Sequence, residues 1–493
     1  MIYRYLNFRF FGAFPPKRPV PSSTFIGSLE RINVFTMSEE KENIHFSSKL
    51  KSLTGVPELV IDFADFLSQA QFEIGECIEN EVPSPQQSGI KEDEDESIPL
   101  VLIEGFMGPA YPRLYWGPLK DILYENKINS NNDRNNGVRR RRRCLFVSPG
   151  PGNSLHDRAV EVYYQLKGGK VDYGEEHSKQ FGHARYGREY KGLYPEWSLD
   201  KPLHFFGHSL GGTTIWKLQQ LLNSNFFPVQ HNPHPDMILS LTAISAPFKG
   251  SQASYNLGQK ADTTGQVVPY SFGYWLGKFA KTYEYFDIKW LKKNVFDFQL
   301  EHWNESSMFK DKDHAPYDLS IHGMKDLNAK SRTFTNTFYR TYAASMTYLD
   351  EETGFHKPKF LTTILPLYYT SKAIGCFRFP ENAIDPPVKS DELLQWFEND
   401  GICPVISQYH PEQCSPKYCT HHQGMPGDNN NANVNHYGSP GVWDVWMLPD
   451  TTHLGLFPAW RTTKKHRQFF NGLKEYLNAL DDVFLKKRNG EGS

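Results

Sequence analysis

From residue 98 onward, short continuous apolar runs alternate with stretches whose apolar residues recur at helical spacing. Leu100-Val-Leu-Ile103, Cys144-Leu-Phe-Val147, Leu203-His-Phe-Phe206 and Met237–Ile244 predict strands covered on both faces, because a half-exposed strand would alternate polar and apolar positions. Thr213–Leu222 predicts a helix between two of them, and Val442–Leu448 a further strand. The chain closes with a helix that places Phe469, Phe470, Leu473, Tyr476, Leu477 and Leu480 on one side. This alternation predicts an α/β fold with a mostly parallel central sheet and helices on both faces.

Upstream the pattern fades, and 98–485 is taken as the main domain, with 486–493 as a tail. Residues 1–48 read as a leader. Residues 1–29 hold Arg4, Arg9, Lys17 and Arg18 but no acid, and Asn7 and Arg9 interrupt what would be a secretory apolar segment. Two readings stay open: a mitochondrial-type presequence, or a disordered leader with Met37 as the true start. In 49–97, Val60, Phe63, Phe66, Leu67 and Ala70 predict one amphipathic helix over 58–80, followed by an acidic linker at 91–96.

A chain of 493 residues, 39% apolar and 22% charged, can bury a large core. Its formal net charge of −2 argues against a nucleic-acid or other polyanionic partner. No run reaches the roughly 18 apolar residues of a membrane-spanning helix, so the chain reads as soluble, with no transmembrane segment. An intracellular setting, cytoplasm or mitochondrion, is favoured over secretion. Asn129–Asn136, Arg139–Arg143 and the asparagine-rich Asp428–Asn435 read as solvated insertions rather than binding sites.

The six cysteines, Cys77, Cys144, Cys376, Cys403, Cys414 and Cys419, are too sparse for a disulfide framework. Cys414 and Cys419, with His421 and His422 beyond them, have zinc-ligand spacing. No second cysteine pair completes a site, so a solvent-facing loop is expected there.

The strongest chemical signal is Gly207-His208-Ser209-Leu210-Gly211, a G-x-S-x-G nucleophile elbow lying between a predicted strand and a predicted helix. The context matters more than the match, since only three positions are fixed. A serine at so sharp a turn is strained, and small neighbours are needed around it. It also requires a base and an orienting acid, in the chain order serine, acid, histidine. Asp400 in Glu398-Asn-Asp-Gly401 and His453 after Val442–Leu448 fit that order, though position alone does not single them out among 56 acids and 18 histidines. The backbone N–H groups of Leu210 and of Phe106, after the first strand, are the expected oxyanion hole.

Further runs carry a resemblance. They include Tyr115-Trp-Gly117, Asp157-Arg-Ala159, Val171-Asp-Tyr-Gly174, Gly182-His-Ala-Arg185, Phe296-Asp-Phe298, Tyr317-Asp-Leu319, Glu398-Asn-Asp-Gly-Ile402 and Gly441-Val-Trp443. In that order, over about 98–485, they resemble the zinc-containing lipases of Gram-positive bacteria, the staphylococcal and thermoalkalophilic bacillary group. The resemblance implies the α/β-hydrolase fold and a triad of Ser209, Asp400 and His453. It implies a structural zinc held by Asp157, His177, His183 and Asp313, a donor set suited to tetrahedral zinc. It also implies a helical lid over 254–305, where Tyr274, Trp275, Leu276, Phe279, Tyr283 and Phe286 mix with charged residues. Such a lid would cover the pocket and open in peripheral contact with a lipid surface.

Two departures stand out. Glu104 occupies a position where the family usually has histidine. Gly455 replaces a calcium-binding glutamate just past the catalytic histidine, and the accompanying aspartate is missing, so no calcium site is expected. The resulting expectation is a serine carboxylic-ester hydrolase that acts on a lipid ester, with acylglycerols as first-choice substrates. The alternatives are a phospholipase, a general carboxylesterase, or a non-catalytic descendant that binds lipid or a partner.

Overall fold

The continuous apolar runs do form strands buried on both faces. In this computed structural model, the described residues are 97–106, 108, 115–116, 119, 142–268, 271, 311–359, 365–380, 386–425, 437–457 and 463–490. The leader, the predicted helix over 58–80, both asparagine-rich insertions, and the lid residues from Tyr274 to Phe286 lie outside them.

In chain order the elements are β1 (Leu100–Ile103), β2 (Cys144–Val147), α1 (Leu155–Lys167), β3 (Gly169–Asp172), α2 (Glu175–Phe181), β4 (Tyr186–Tyr190), β5 (Leu203–His208), α3 (Leu210–Asn223) and β6 (Ile238–Ile244). Then come α4 (Ala253–Asn256), α5 (Ala315–Asp318), α6 (Ile321–Asn328), β7 (Phe338–Ala344), β8 (Thr347–Asp350), β9 (Phe355–Pro358), α7 (Leu365–Ile374), α8 (Val405–Tyr409), β10 (Cys419–Gln423), β11 (Trp443–Leu448) and α9 (Lys464–Arg488).

Seven strands form one sheet in the order β10-β11-β7-β6-β5-β1-β2, and every pairing in it is parallel. Two antiparallel hairpins, β3–β4 and β8–β9, stand apart from it. The alternation of side chains along a strand explains the layering. Val101 and Ile103 of β1 pack with Val160 and Tyr163 of α1 and with Ile215 and Leu218 of α3. Leu100 and Leu102 face the other way, onto Phe469, Phe470, Leu473 and Leu477 of α9. The sheet is therefore a covered central layer, an α/β-hydrolase-like fold.

One expectation is corrected. The arginine run at 139–143 is expected to be a solvated loop edge, but Arg142 is buried at the entry to β2. Its guanidinium lies 2.6 Å from Asp481 Oδ2 on α9, donates to Asn478 Oδ1 at 2.9 Å, and also donates to the Ile98 carbonyl. A carboxylate buried between helix and sheet is stable only with a counter-charge and satisfied oxygens, and Arg142 supplies the charge. The other oxygen of Asp481 accepts from His204 Nε2 at 2.9 Å. Burial lowers the His204 pKa, so the ring is neutral, and its Nδ1 accepts from Ser240 Oγ at 2.7 Å. Arg143, by contrast, is exposed and donates to the Leu193 carbonyl.

Candidate active site

Ser209 stands between the end of β5 and the start of α3, at the carboxyl edge of the sheet where parallel α/β proteins bind ligands. Its backbone has φ +53° and ψ −124°, a conformation that costs a non-glycine residue on the order of 1–3 kcal/mol. The surroundings hold it there. Ser209 N donates to the Ile244 carbonyl at 2.9 Å, and Gly212 N donates to the Ser209 carbonyl at 3.0 Å. The flanking glycines are sterically required: a Cβ on Gly211 would lie 2.1 Å from the Ile103 oxygen, and one on Gly207 would lie 2.4 Å from Gly211 C.

The three residues expected to act together are brought together. His453 Nε2 lies 3.0 Å from Ser209 Oγ, and His453 Nδ1 lies 2.9 Å from Asp400 Oδ2. Asp400 is fully buried, and its Oδ1 accepts from the amides of Ile402 at 3.0 Å and Cys403 at 2.7 Å. Those two bonds fix the carboxylate in the turn Asp400–Cys403, so Oδ2 is left for the imidazole. The His453 amide also donates to the Asp400 carbonyl at 2.7 Å, which ties the two loops together. Cys403 touches this group, but burial raises its thiol pKa well above the ordinary value, so the thiol is inert.

The expected oxyanion donors also flank the serine. Leu210 N opens α3, where the first amides have no partner inside the helix. Phe106 follows Gly105, whose Cα is so close that a Cβ there would sit 3.0 Å from Ser209 Cβ. Among the described residues neither amide donates to another protein group.

The Glu104 side chain turns toward Ser148. Its carboxyl group accepts from Ser148 Oγ at 2.6 Å, beyond β2, which lies on the opposite side of β1 from β5. Its carbonyl is held by Arg158 Nη2 at 2.8 Å. Burial pushes the Glu104 pKa up to about 7, against the lowering effects of Ser148 and Arg158.

Sequence reasoning missed two positioning residues. The Gly105 amide donates to Tyr115 Oη at 3.0 Å, Tyr115 Oη bonds His208 Nδ1, and His208 Nε2 reaches the His453 carbonyl at 2.8 Å. Burial holds the His208 pKa well below the usual histidine value, so the ring is neutral. Nε2 must then donate to the carbonyl and Nδ1 must accept from Tyr115, which fixes every proton in the chain. This relay joins the oxyanion strand to the backbone of His453. In the sequence, Tyr115 shows only as part of the run Tyr115-Trp-Gly117 and His208 only as a variable position of the elbow motif.

The second expected group also converges. Asp157 on α1, His177 on α2, His183 after the α2 cap, and Asp313 before α5 place one ligand atom each within 4.8 Å of one another. His177 Nε2 lies 3.1 Å from Asp157 Oδ1 and 3.2 Å from Asp313 Oδ1, and His183 Nε2 lies 3.3 Å from Asp313 Oδ2. Zinc–ligand bonds near 2.1 Å at tetrahedral angles put neighbouring ligand atoms about 3.4 Å apart, so this donor set fits the ion. His183 Nδ1 donates to the Ala184 carbonyl at 2.9 Å, which turns Nε2 toward the cluster.

The cysteine segment departs from its expected loop. Cys419 is buried on β10, and Cys414 and His421 gather with it around His410, the partner missing from the sequence reading. His422 points elsewhere, 2.8 Å from Asp444 Oδ1.

Among the described residues no helix is long and apolar enough to cross a membrane.

Comparison with known proteins gives the chain a family. The family described as "Lipase-like, C-terminal domain" matches residues 96–445, a span that holds Ser209, Asp400 and the four Asp and His residues of the second group but stops short of His453. A lipase of Staphylococcus epidermidis is 30% identical over 424 residues, covering 77% of this chain and 53% of its own length. Lipase 1 of Staphylococcus aureus is 32% identical over 338 residues, 64% of this chain and 46% of its own. The chain thus spans about half the length of the curated relatives it matches. Staphylococcus hyicus lipase superposes with a TM-score of 0.54 at 23% identity over 84% of this chain and all of that one, a likeness of fold. Lipase 1 from Pelosinus fermentans gives 0.51 at 25% identity, over 78% and 98%. With the family match extending over most of its length, this chain belongs to the lipase-like C-terminal domain family.

Proposed function

We propose that the chain is a serine lipase that releases fatty acid from acylglycerols through an acyl-enzyme. The observation that carries this reading is the bonded series from Ser209 Oγ to His453 to Asp400 at a strained strand-to-helix turn. His453 Nε2 takes the hydroxyl proton as Ser209 Oγ bonds to the ester carbonyl carbon. The amides of Phe106 and Leu210 receive the charge on the carbonyl oxygen. His453 passes its proton to the departing alkoxide. Water then attacks the acyl carbon, gives a proton to the same nitrogen, and the fatty acid leaves as Ser209 regains its hydrogen. Asp400 orients the ring and balances its positive charge throughout.

The Asp157, His177, His183 and Asp313 group would hold a zinc ion. Four protein ligands leave no place for substrate, so its role is to tie α1, α2 and the segment before α5 together. The sequence over 274–286 supports peripheral contact with a lipid surface, since it mixes aromatic and charged residues at helical spacing.

The test is hydrolysis of emulsified triglyceride and a chain-length series of aryl esters by the purified chain, with Ser209→Ala in parallel. Long-chain and emulsified substrates should be cleaved by the wild type alone. Turnover of only short soluble esters would shift the reading to a carboxylesterase, and no turnover of any ester would sink it.

A further inference from the structure

His410, Cys414, Cys419 and His421 offer two imidazole nitrogens and two sulfurs, all within 4.8 Å of one another. His410 Nε2 lies 3.2 Å from Cys414 Sγ, which lies 3.5 Å from His421 Nε2, and His421 Nε2 lies 3.3 Å from Cys419 Sγ. Zinc bonds near 2.3 Å to sulfur and 2.0–2.1 Å to nitrogen place neighbouring tetrahedral ligands about 3.4–3.8 Å apart, so the four atoms already trace such a shell within a few tenths of an ångström. From this convergence we propose a second metal centre, a structural Cys₂His₂ zinc site, separate from the group built around Asp157.

The local structure explains why these four meet. Cys419 and His421 are two residues apart on β10 and therefore share one face of it. His410 is the residue directly after α8, and it is fully buried. Cys414 sits in the connection between them. Charge balances as well. Two thiolates cancel a divalent ion, and the remaining neighbours are Lys249, which interacts with both sulfurs and with Glu412, and Glu412 itself, 3.7 Å from His410 Nδ1. Binding would release the two thiol protons.

The consequence is mechanical. Among the described residues, β10 is an edge strand whose one neighbour in the sheet is β11. The ion would pin it to the end of α8. That helix starts right after the Asp400 turn, and its Gln408 donates to the Cys403 and Ala344 carbonyls at 3.0 Å each. The centre therefore clamps the segment that carries the catalytic acid, with no coordination place open to substrate.

Sulfur makes the test specific, because the Asp157 group has none. Wild-type protein reconstituted with cobalt(II) should show a thiolate-to-cobalt charge-transfer band. Asp157→Ala should keep that band, and a Cys414→Ser, Cys419→Ser double variant should lose it. The zinc content of purified wild type should exceed that of the double variant by one equivalent. The absence of the band from wild type, equal zinc in wild type and the double variant, or a Cys414–Cys419 disulfide in the native protein would each overturn the proposal. The cobalt spectrum of the wild type stands even if the double variant does not fold.

Discussion

Ser209–His453–Asp400 and Ser240–His204–Asp481 carry the same chain of hydrogen bonds in two different settings. In each, a serine hydroxyl meets one nitrogen of an imidazole whose other nitrogen meets an aspartate. The histidine–aspartate distances are both 2.9 Å, and the serine–histidine distances are 3.0 and 2.7 Å. By contact geometry alone the second is the tighter array. The difference lies in what surrounds each one. Ser240 sits inside strand β6, directly opposite His204 on β5, just past a register shift near the start of both strands. Its backbone is paired within the sheet rather than at its edge, and Arg142 clamps its aspartate. Ser209 stands past the carboxyl end of β5 at positive φ, beside two amides that donate to no protein group among the described residues, and its aspartate is held by backbone N–H groups. A serine–histidine–aspartate chain becomes a candidate for catalysis through its place at the sheet edge and its oxyanion donors, whereas the same chain inside the sheet is a structural tie.

The largest effect should separate the two serines. Ser209→Ala should lower kcat for ester hydrolysis by about 10⁴-fold or more, whereas Ser240→Ala should leave it within a small factor. Steady-state rates on an aryl ester check this, and comparable losses would dissolve the distinction. The two aspartates should then diverge in opposite senses. Asp400→Asn should cost roughly 10⁴-fold in kcat with little change in unfolding. Asp481→Asn leaves Arg142 as a buried charge without its partner, so it should cost about 3–5 kcal/mol of stability in a denaturant titration. The kcat of folded Asp481→Asn should be unchanged.

Glu104 extends the comparison to a buried carboxyl group with neither histidine nor a direct arginine clamp. Burial tends to raise the Asp481 pKa too, but the His204 bond and Arg142 outweigh it and the net shift is downward. At Glu104 burial wins, and the pKa rises from 4.5 to about 7. A carboxyl whose folded pKa is raised favours folding fully below its unfolded pKa and loses that contribution as pH climbs through the folded value. The stability difference between Glu104→Gln and the wild type should therefore be constant below about pH 4 and shift in the variant's favour between about pH 4.5 and 7, by up to about 3 kcal/mol. Thermal unfolding across that window is the check, and a constant difference would show that Glu104 does not titrate there. The smallest effect is expected from Tyr115→Phe. It removes one acceptor and one donor from the relay between Gly105 and His453, so kcat should fall roughly 5- to 30-fold, in line with about 1–2 kcal/mol for a buried hydrogen bond. A change in KM alone would argue against this positioning role.

Much of the reactive array was legible in the sequence, for physical reasons that differ by residue. Ser209 was visible because a strained turn demands glycines at fixed offsets. The central strands were visible because strands covered on both faces become continuous apolar runs. Asp400 and His453 follow from chain order only as plausible choices, and the family resemblance is what singles them out. The relay through Tyr115 and His208 was hidden, since it depends on side chains 93 residues apart that meet only after the sheet forms. Arg142 was misread for the same reason: its partner Asp481 lies 339 residues downstream. The Cys414–Cys419 spacing calls for a second cysteine pair that the chain lacks, whereas the ligand that completes the group with His421 is a histidine upstream, His410.

In the proposed mechanism Ser209, and not its buried counterpart Ser240, is the activated serine. Reaction of the purified chain with a fluorophosphonate, followed by mass mapping of the adduct, tests this most directly. One adduct is expected, on Ser209, and none on Ser240 or in Ser209→Ala protein. Wild type left unlabelled, or Ser209→Ala labelled to the same extent as wild type, would contradict it.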